Sequence, residues 1–269
     1  MEILIATLVV GLIGLLIGIT LVAAGAFFHV EVDEREAAVR AELPGNNCGA
    51  CGYAGCDALA AAIAAGDAPA NACPVCSASA TEAIGAIMGV SVTAGKRRVA
   101  RVNCSGDCVK SPAKVGYVGI QDCRAAALAG LSPAACAYGC LGFGSCAKAC
   151  PQDAIVMTDG LARVIPSACV GCGLCASACP QGLISLVPAG VYAVGCSSHD
   201  KGPAVKKVCA AGCIGCGLCV KQCEYGAITL EDNLARIDPE TCTGCGKCAE
   251  KCPVKVIHPT GAFVAASAL

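Results

Sequence analysis

The residues of this chain that can do chemistry are its cysteines. There are 26 in 269 residues, against 3 His and no Trp. Thiols at that density serve as disulfides, zinc ligands or iron–sulfur ligands. Disulfide scaffolds are mostly short secreted domains, and zinc sites usually recruit histidine, so composition leans toward iron–sulfur. The spacing is regular. One stretch reads Cys213-x2-Cys216-x2-Cys219-x3-Cys223, and a second reads Cys242-x2-Cys245-x2-Cys248-x3-Cys252-Pro253.

Paired C-x2-C-x2-C-x3-C runs are the signature of a two-cluster bacterial ferredoxin, in which the fourth cysteine of each run ligates the other cluster. One [4Fe-4S] cluster is therefore expected on Cys213, Cys216, Cys219 and Cys252, and another on Cys223, Cys242, Cys245 and Cys248. The pattern also occurs upstream. A shift of 73 residues carries Cys123, Cys136, Cys140, Cys146 and Cys150 onto Cys196, Cys209, Cys213, Cys219 and Cys223. The same shift carries Cys169, Cys172, Cys175 and Cys179 onto Cys242, Cys245, Cys248 and Cys252, and Leu161-Ala162-Arg163 onto Leu234-Ala235-Arg236. This is a tandem duplication of units at about 123–188 and 196–261. In the first unit Cys150, Cys169, Cys172 and Cys175 form one expected set. The other has Cys140, Cys146 and Cys179, with Phe143 where a cysteine belongs; the nearby Cys136 is the expected substitute, a three-cysteine cluster or a more distant thiol being the alternatives.

Nearer the N-terminus, Cys48-x2-Cys51-x4-Cys56-x16-Cys73 lies on a glycine-rich loop and can wrap one more cluster, zinc being the alternative there. Cys76 has no role in this scheme. Cys104, Cys108 and Cys123 could seed a further cluster, and Cys196 and Cys209 are left over. The alternative for all of these is buried free thiols, since cysteine packs as a small hydrophobe. The count is at least five [4Fe-4S] clusters, and six if the extra site forms.

The elements that must position these thiols follow. Residues 3–28 are 26 apolar or small residues without a charge, about 39 Å as a helix, long enough to span a bilayer. The stretch is too long for the core of a signal peptide and lacks its basic start. Arg35 and Arg40 follow it and no Lys or Arg precedes it, which favours a single pass with a cytoplasmic C-terminal part. Gly14 and Gly18 are spaced for close approach of another membrane helix. Residues 57–65 read as a short helix. Residues 227–237 read as a hairpin turning at 231–233, and 154–164 as one turning at Asp159-Gly160. The fold class is α+β: a transmembrane anchor (1–29), a small 4Fe-4S domain (30–95), a cysteine-containing connecting segment (96–135), and ferredoxin-like domains at 136–188 and 189–269.

Residues 1–95 hold 2 basic and 9 acidic side chains, and residues 96–269 hold 17 and 11, for a net charge of −1. That balance excludes a strongly basic nucleic-acid binder. The basic stretch Lys96-Arg97-Arg98-x-x-Arg101, with Lys110, Lys114 and Arg124, is a candidate docking site for an acidic redox carrier, with a solvated loop or a patch facing anionic lipid as alternatives. Gly171-Cys-Gly173-x-x-Ala176 and its repeat at Gly244 mimic a dinucleotide fingerprint, but they sit between cluster ligands, outside any βαβ unit. No nicotinamide or flavin site and no catalytic residue is read from the sequence.

The whole layout resembles the B subunit of the Rnf-type ion-translocating ferredoxin:NAD+ oxidoreductase complex. The resemblance covers essentially the full chain. Asn47-Cys-Gly-Ala-Cys-Gly-Tyr-Ala-Gly-Cys56 looks like the family's first-cluster signature, and the stretches 117–123 and 138–146 look like its clostridial-type members. It implies an electron-transfer subunit in the cell membrane, with cluster domains on the cytoplasmic side. Such a subunit accepts electrons from soluble reduced ferredoxin and passes them to other subunits, on one of which NAD+ is reduced, while the complex pumps Na+ or H+. A polyferredoxin subunit of a membrane hydrogenase or formate-oxidising complex is the second reading. A membrane-anchored zinc-binding interaction protein is the third.

Overall fold

The computed structural model describes residues 2–27, 33–93, 95–114, 116–130 and 132–261. The first helix, α1 (Glu2–Phe27), has no charged residue after Glu2. Its described side chains, Leu8 and those from 11 to 24, are all exposed, and a Cβ added at Gly14 or Gly18 would meet open space. Among the described residues no helix is long and apolar enough to cross a membrane. Phe28, which ends the expected span, and the acidic Glu31 beyond it lie outside the described residues.

Three short helices follow. Asp33 caps α2 (Glu34–Glu42) by accepting from the Arg35 backbone N–H. The expected short helix is α3 (Cys56–Ala65), and Ser77 caps α4 (Ala78–Met88) by accepting from the Ala80 N–H. Their apolar faces meet at Val39, Leu59, Ile63 and Ile84, each no more than 1% exposed, and Cys51, Cys56, Cys73 and Cys76 pack at the edge of this core.

The first ferredoxin-like unit begins earlier than its cysteine run. Strand β1 (Arg98–Val102) is followed by the helices α5 (Cys123–Leu128) and α6 (Ser145–Lys148). After them come the hairpin β2 (Ile155–Thr158) and β3 (Leu161–Val164), helix α7 (Leu174–Ala178) and strand β4 (Ile184–Pro188). β1 pairs antiparallel with β4, Arg98 opposite Pro188 and Val102 opposite Ile184. The stretch expected only to connect domains thus supplies the strand that closes the first unit. The second unit repeats the plan with β5 (Tyr192–Val194), α8 (Gly202–Val208), α9 (Leu218–Gln222), β6 (Ile228–Glu231), β7 (Leu234–Ile237), α10 (Lys247–Glu250) and β8 (Ile257–Pro259). Here β5 pairs with β8.

Both inner hairpins turn on two residues with positive φ, Asp159 and Gly160 (51° and 71°) and Asp232 and Asn233 (48° and 62°). That is the two-residue turn whose twist matches paired strands. The cores are small and mostly aliphatic: Val99, Ile155 and Ile184 in the first unit, and Ile228, Leu234, Val256 and Ile257 in the second. Cysteines and alanines, with Val194 in the second unit, make up the rest of each.

The units are joined through the segment after β1. Ala210 N–H donates to the Lys110 carbonyl (2.8 Å), the Ser111 hydroxyl to the Val208 carbonyl (3.0 Å), and the Ser197 hydroxyl to the Asn103 carbonyl (2.9 Å).

Candidate iron–sulfur sites

Each cysteine run bends around its thiols through one recurrent device. The four runs read Cys-x-Gly-x-Gly-x-Cys, and the first glycine has φ between 65° and 81°. It also lies against a backbone carbonyl. An added Cβ would come within 2.8 Å of the Gly160 oxygen at Gly142, 2.6 Å of Arg98 at Gly171, 2.7 Å of Asn233 at Gly215 and 2.4 Å of Gly190 at Gly244. Gly171 and Gly244 are the glycines of the false dinucleotide fingerprint, and the contacts press each run onto a turn or a strand end. The second glycine starts the short helix that carries the next cysteine inward, as Gly173 does for α7 and Gly246 for α10.

Four groups of thiols converge, and near the N-terminus Cys51, Cys56 and Cys73 pack on one core. Cys219 is pushed up to about 11 by burial and then by the neighbouring Cys213, Cys216 and Cys252. Cys248 is raised by burial and by Cys242 and Cys245. With Cys223 these three line a cavity of about 340 Å³, all space between the lining atoms included. Cys175 is pushed up to about 11 by burial, with Cys169, Cys172 and Cys150 adding to it. Backbone N–H groups point at sulfurs there, Ala100 to Cys169 and Ala154 to Cys150, both at 3.3 Å. Near the N-terminus the Asn47 carboxamide accepts from the Cys56 N–H (2.8 Å), fixing the loop onto α3. Cys76 donates to Cys73, which holds the Cys73 thiol down at about 6 and pushes Cys76 up. Cys172 is raised by burial and then by Cys48, so Cys48 lies beside the Cys150 group.

The fourth group departs from expectation. Cys146 is pushed up to about 12 by burial and then by Cys140, Cys123 and Cys179. Those four thiols line a cavity of about 380 Å³. The residue expected in the fourth place, Cys136, lies instead with Cys196 and Cys209. The cause is local. Phe143, in the ligand's place, packs on Tyr117 with ring centroids 4.9 Å apart, in a small core with Cys123, Ala126 and Leu141. That core seats α5. Asp122 caps α5 through the Arg124 and Ala125 N–H groups and accepts from the Ser145 hydroxyl (2.7 Å), whose oxygen in turn takes the Cys123 N–H (2.8 Å). The helix therefore delivers Cys123 to the gap. The grouping expected for Cys104, Cys108 and Cys123 does not form: Cys108 is exposed, and Cys104 lies near Cys140 and Cys209. Among the described residues, no three or more His, Cys, Asp or Glu side chains are drawn close enough for a single metal ion.

The basic stretch is largely engaged within the fold. Arg97 donates to the Pro166 and Cys169 carbonyls, Arg98 to Leu186, Arg101 to Ala193 and Arg124 to Ser177.

Family models match four stretches of the chain. A model of an Fe-S cluster domain matches residues 43–75, a 4Fe-4S dicluster domain matches 212–256, and 4Fe-4S binding domains match 140–154 and 162–185. Fold and sites together define a tandem ferredoxin-like iron–sulfur protein. The B subunit of the Na(+)-translocating ferredoxin:NAD(+) oxidoreductase complex of Acetobacterium woodii is 46% identical to it, over 86% of this chain and 70% of that protein. The B subunit of the proton-translocating complex of Clostridium ljungdahlii is 43% identical over 86% and 82%. The B subunit of the ion-translocating oxidoreductase complex of Methanosarcina acetivorans is 41% identical over 91% and 94%. The chain belongs to this family of B subunits of ion-translocating oxidoreductase complexes.

The glycine device is testable. Gly217 has positive φ but nothing within 4 Å of an added Cβ, whereas Gly244 has both the positive φ and the carbonyl contact. Gly217→Ala should cost about 1–2 kcal/mol, the left-handed penalty alone. Gly244→Ala should cost clearly more, read as a larger drop in the urea midpoint.

Proposed function

We propose that this chain takes electrons from reduced ferredoxin and relays them inside an ion-translocating ferredoxin:NAD+ oxidoreductase complex, held at the membrane by α1. The observation that carries the reading is the convergence of four-cysteine groups in a chain of this family.

The donor sets suit [4Fe-4S] clusters. Each is sulfur only, and the spacing around the second and third cysteines is that of cluster-binding loops. The proposed ligands are Cys48, Cys51, Cys56 and Cys73; Cys123, Cys140, Cys146 and Cys179; Cys150, Cys169, Cys172 and Cys175; Cys213, Cys216, Cys219 and Cys252; and Cys223, Cys242, Cys245 and Cys248. A bound cluster supplies one-electron redox chemistry. The protein's part is to exclude water, to aim N–H dipoles at the sulfurs and to hold neighbouring sets close. N–H donation to sulfur and burial are the means by which a protein tunes cluster potential.

Within these five sets only Cys216 and Cys245 are exposed, both in the second unit. We place ferredoxin docking there rather than at residues 97–101, whose guanidiniums are held by backbone carbonyls. Lys221 and Lys251, exposed on α9 and just beyond α10, offer the positive charge that steers an acidic carrier. The uncharged, apolar residues 3–28 support the anchor, and the described side chains of α1 are exposed.

Three outcomes test the reading. In chain purified without oxygen, Cys123→Ser should remove about four iron and four sulfide per chain, and an unchanged count refutes that ligand set. Lys221→Glu with Lys251→Glu should slow reduction by ferredoxin several-fold at low salt and little at high salt; a salt-independent rate refutes docking there. Removal of residues 1–29 should shift the chain from the membrane fraction to the soluble fraction, and retention in the membrane would show that α1 is not the anchor.

A further inference from the structure

Four cysteines stand outside the five sets yet come together. Cys104, Cys136, Cys196 and Cys209 line one cavity of about 400 Å³. It is the size of the two cavities lined by Cys123, Cys140, Cys146 and Cys179 and by Cys223, Cys242, Cys245 and Cys248, about 380 and 340 Å³.

The arrangement has the symmetry of the duplication. Cys104 follows the end of β1 by two residues, and Cys196 follows the end of β5 by two. The sequences there are Val102-Asn-Cys104-Ser and Val194-Gly-Cys196-Ser. Cys136 and Cys209 open the matching stretches Cys136-Ala-Tyr-Gly-Cys140 and Cys209-Ala-Ala-Gly-Cys213. Each unit thus contributes one equivalent pair, at the seam where Ser197 bonds to the Asn103 carbonyl and Ala210 to the Lys110 carbonyl.

The sulfurs are treated as in the ferredoxin sets. The Ser198 N–H points at Cys196 Sγ from 3.5 Å, much as the Leu183 N–H points at Cys179 Sγ from 3.4 Å. The N–H donors match across the units: Cys104 takes one from Cys140 where Cys196 takes one from Cys213, and Cys136 takes one from Tyr138 where Cys209 takes one from Ala211. Burial raises all four thiols, Cys104 to about 12.

The surroundings favour an anionic occupant. Cys104 also lines a second cavity, with Arg101, Arg163 and His258. Arg101 Nε and Lys110 Nζ are shut off from solvent without a hydrogen bond. The acid beside Lys110 and Arg163 is Asp107, at 3.6 and 3.9 Å. A tetrathiolate [4Fe-4S] cluster carries about two negative charges when oxidised, which would balance this buried positive charge.

We infer that Cys104, Cys136, Cys196 and Cys209 bind a sixth [4Fe-4S] cluster on the pseudo-twofold seam between the two ferredoxin-like units. The site lies between the Cys140 and Cys213 sets, since Cys104 neighbours Cys140 and Cys196 neighbours Cys213. The inference rests on the reading that the other five sets hold such clusters.

Metal and sulfide analysis of the full chain, purified without oxygen, tests it. Six clusters give about 24 iron and 24 sulfide per chain, and five give about 20. Cys104→Ser with Cys209→Ser should lose about four of each, Cys123→Ser with Cys136→Ser about eight, and Cys108→Ser none. A wild-type count near 20 that Cys104→Ser with Cys209→Ser leaves unchanged overturns the sixth site and leaves the other five. Loss of one zinc in place of four iron also overturns it. A chain without iron overturns the underlying reading itself. Should the double variants fail to fold, the wild-type count and the single variant Cys196→Ser decide between 24 and 20.

Discussion

The constraint on which this structure depends is the delivery of thiols, four at a time, into pockets shut off from water. A buried thiolate is costly without a countercharge, and burial raises Cys140, Cys146, Cys175 and Cys219 alike. The aliphatic residues around them are few, Val99, Ile155 and Ile184 in one unit and Ile228, Leu234 and Val256 in the other. With aromatics at 3% of the chain, metal binding and folding become one process, as they are in small metal-dependent domains. The strand pairs and hairpins then act as clamps. They supply the carbonyls against which Gly142, Gly171, Gly215 and Gly244 are pressed, and any side chain there would push a cysteine out of reach.

Duplication explains both the regularity and the exception. The two units share hairpins in the same register, Ile155 opposite Val164 and Ile228 opposite Ile237. They differ in the stretch between the first strand and the first cysteine run, residues 103–139 in one and 195–212 in the other. The longer stretch carries α5, which brings Cys123 to the place that Phe143 leaves without a ligand. Cys123 from the longer stretch lies with Cys140, Cys146 and Cys179, and Cys136 lies near its own counterpart, Cys209.

Much of this was legible in the residues. The crossing of Cys150 to the group of Cys169, Cys172 and Cys175 follows from ligand spacing, and the Asp159-Gly160 turn follows from the need for positive φ. The fate of Cys136 was not legible, because proximity in sequence to Cys140 is no guide once Tyr117 and Phe143 have built a core that holds α5. The pairing of Cys104 with Cys196 was hidden for a related reason. The constant shift of 73 residues matches Cys196 with Cys123, and only the strands show that the insertion moves the true counterpart back to Cys104. The repeated Val-x-Cys-Ser and Cys-Ala-x-Gly-Cys stretches were the available signal.

Charge is where the composition was least informative. A net charge of −1 describes the chain without bound groups, and each proposed cluster would add about two negative charges. Basic side chains are then needed inside as well as outside. Arg97 and Arg98 tie the β1 segment to the Pro166, Cys169 and Leu186 carbonyls. Arg101 lines a cavity with Cys104, and the Lys110 carbonyl takes the Ala210 N–H next to Cys209. Positive charge placed there lowers the cost of burying thiolates and favours the reduced, more negative state of any cluster beside it. Of the basic stretch, Arg101 and Lys110 are thus partly buried in the scaffold, while Lys96, Arg97, Arg98, Lys114 and Arg124 remain exposed.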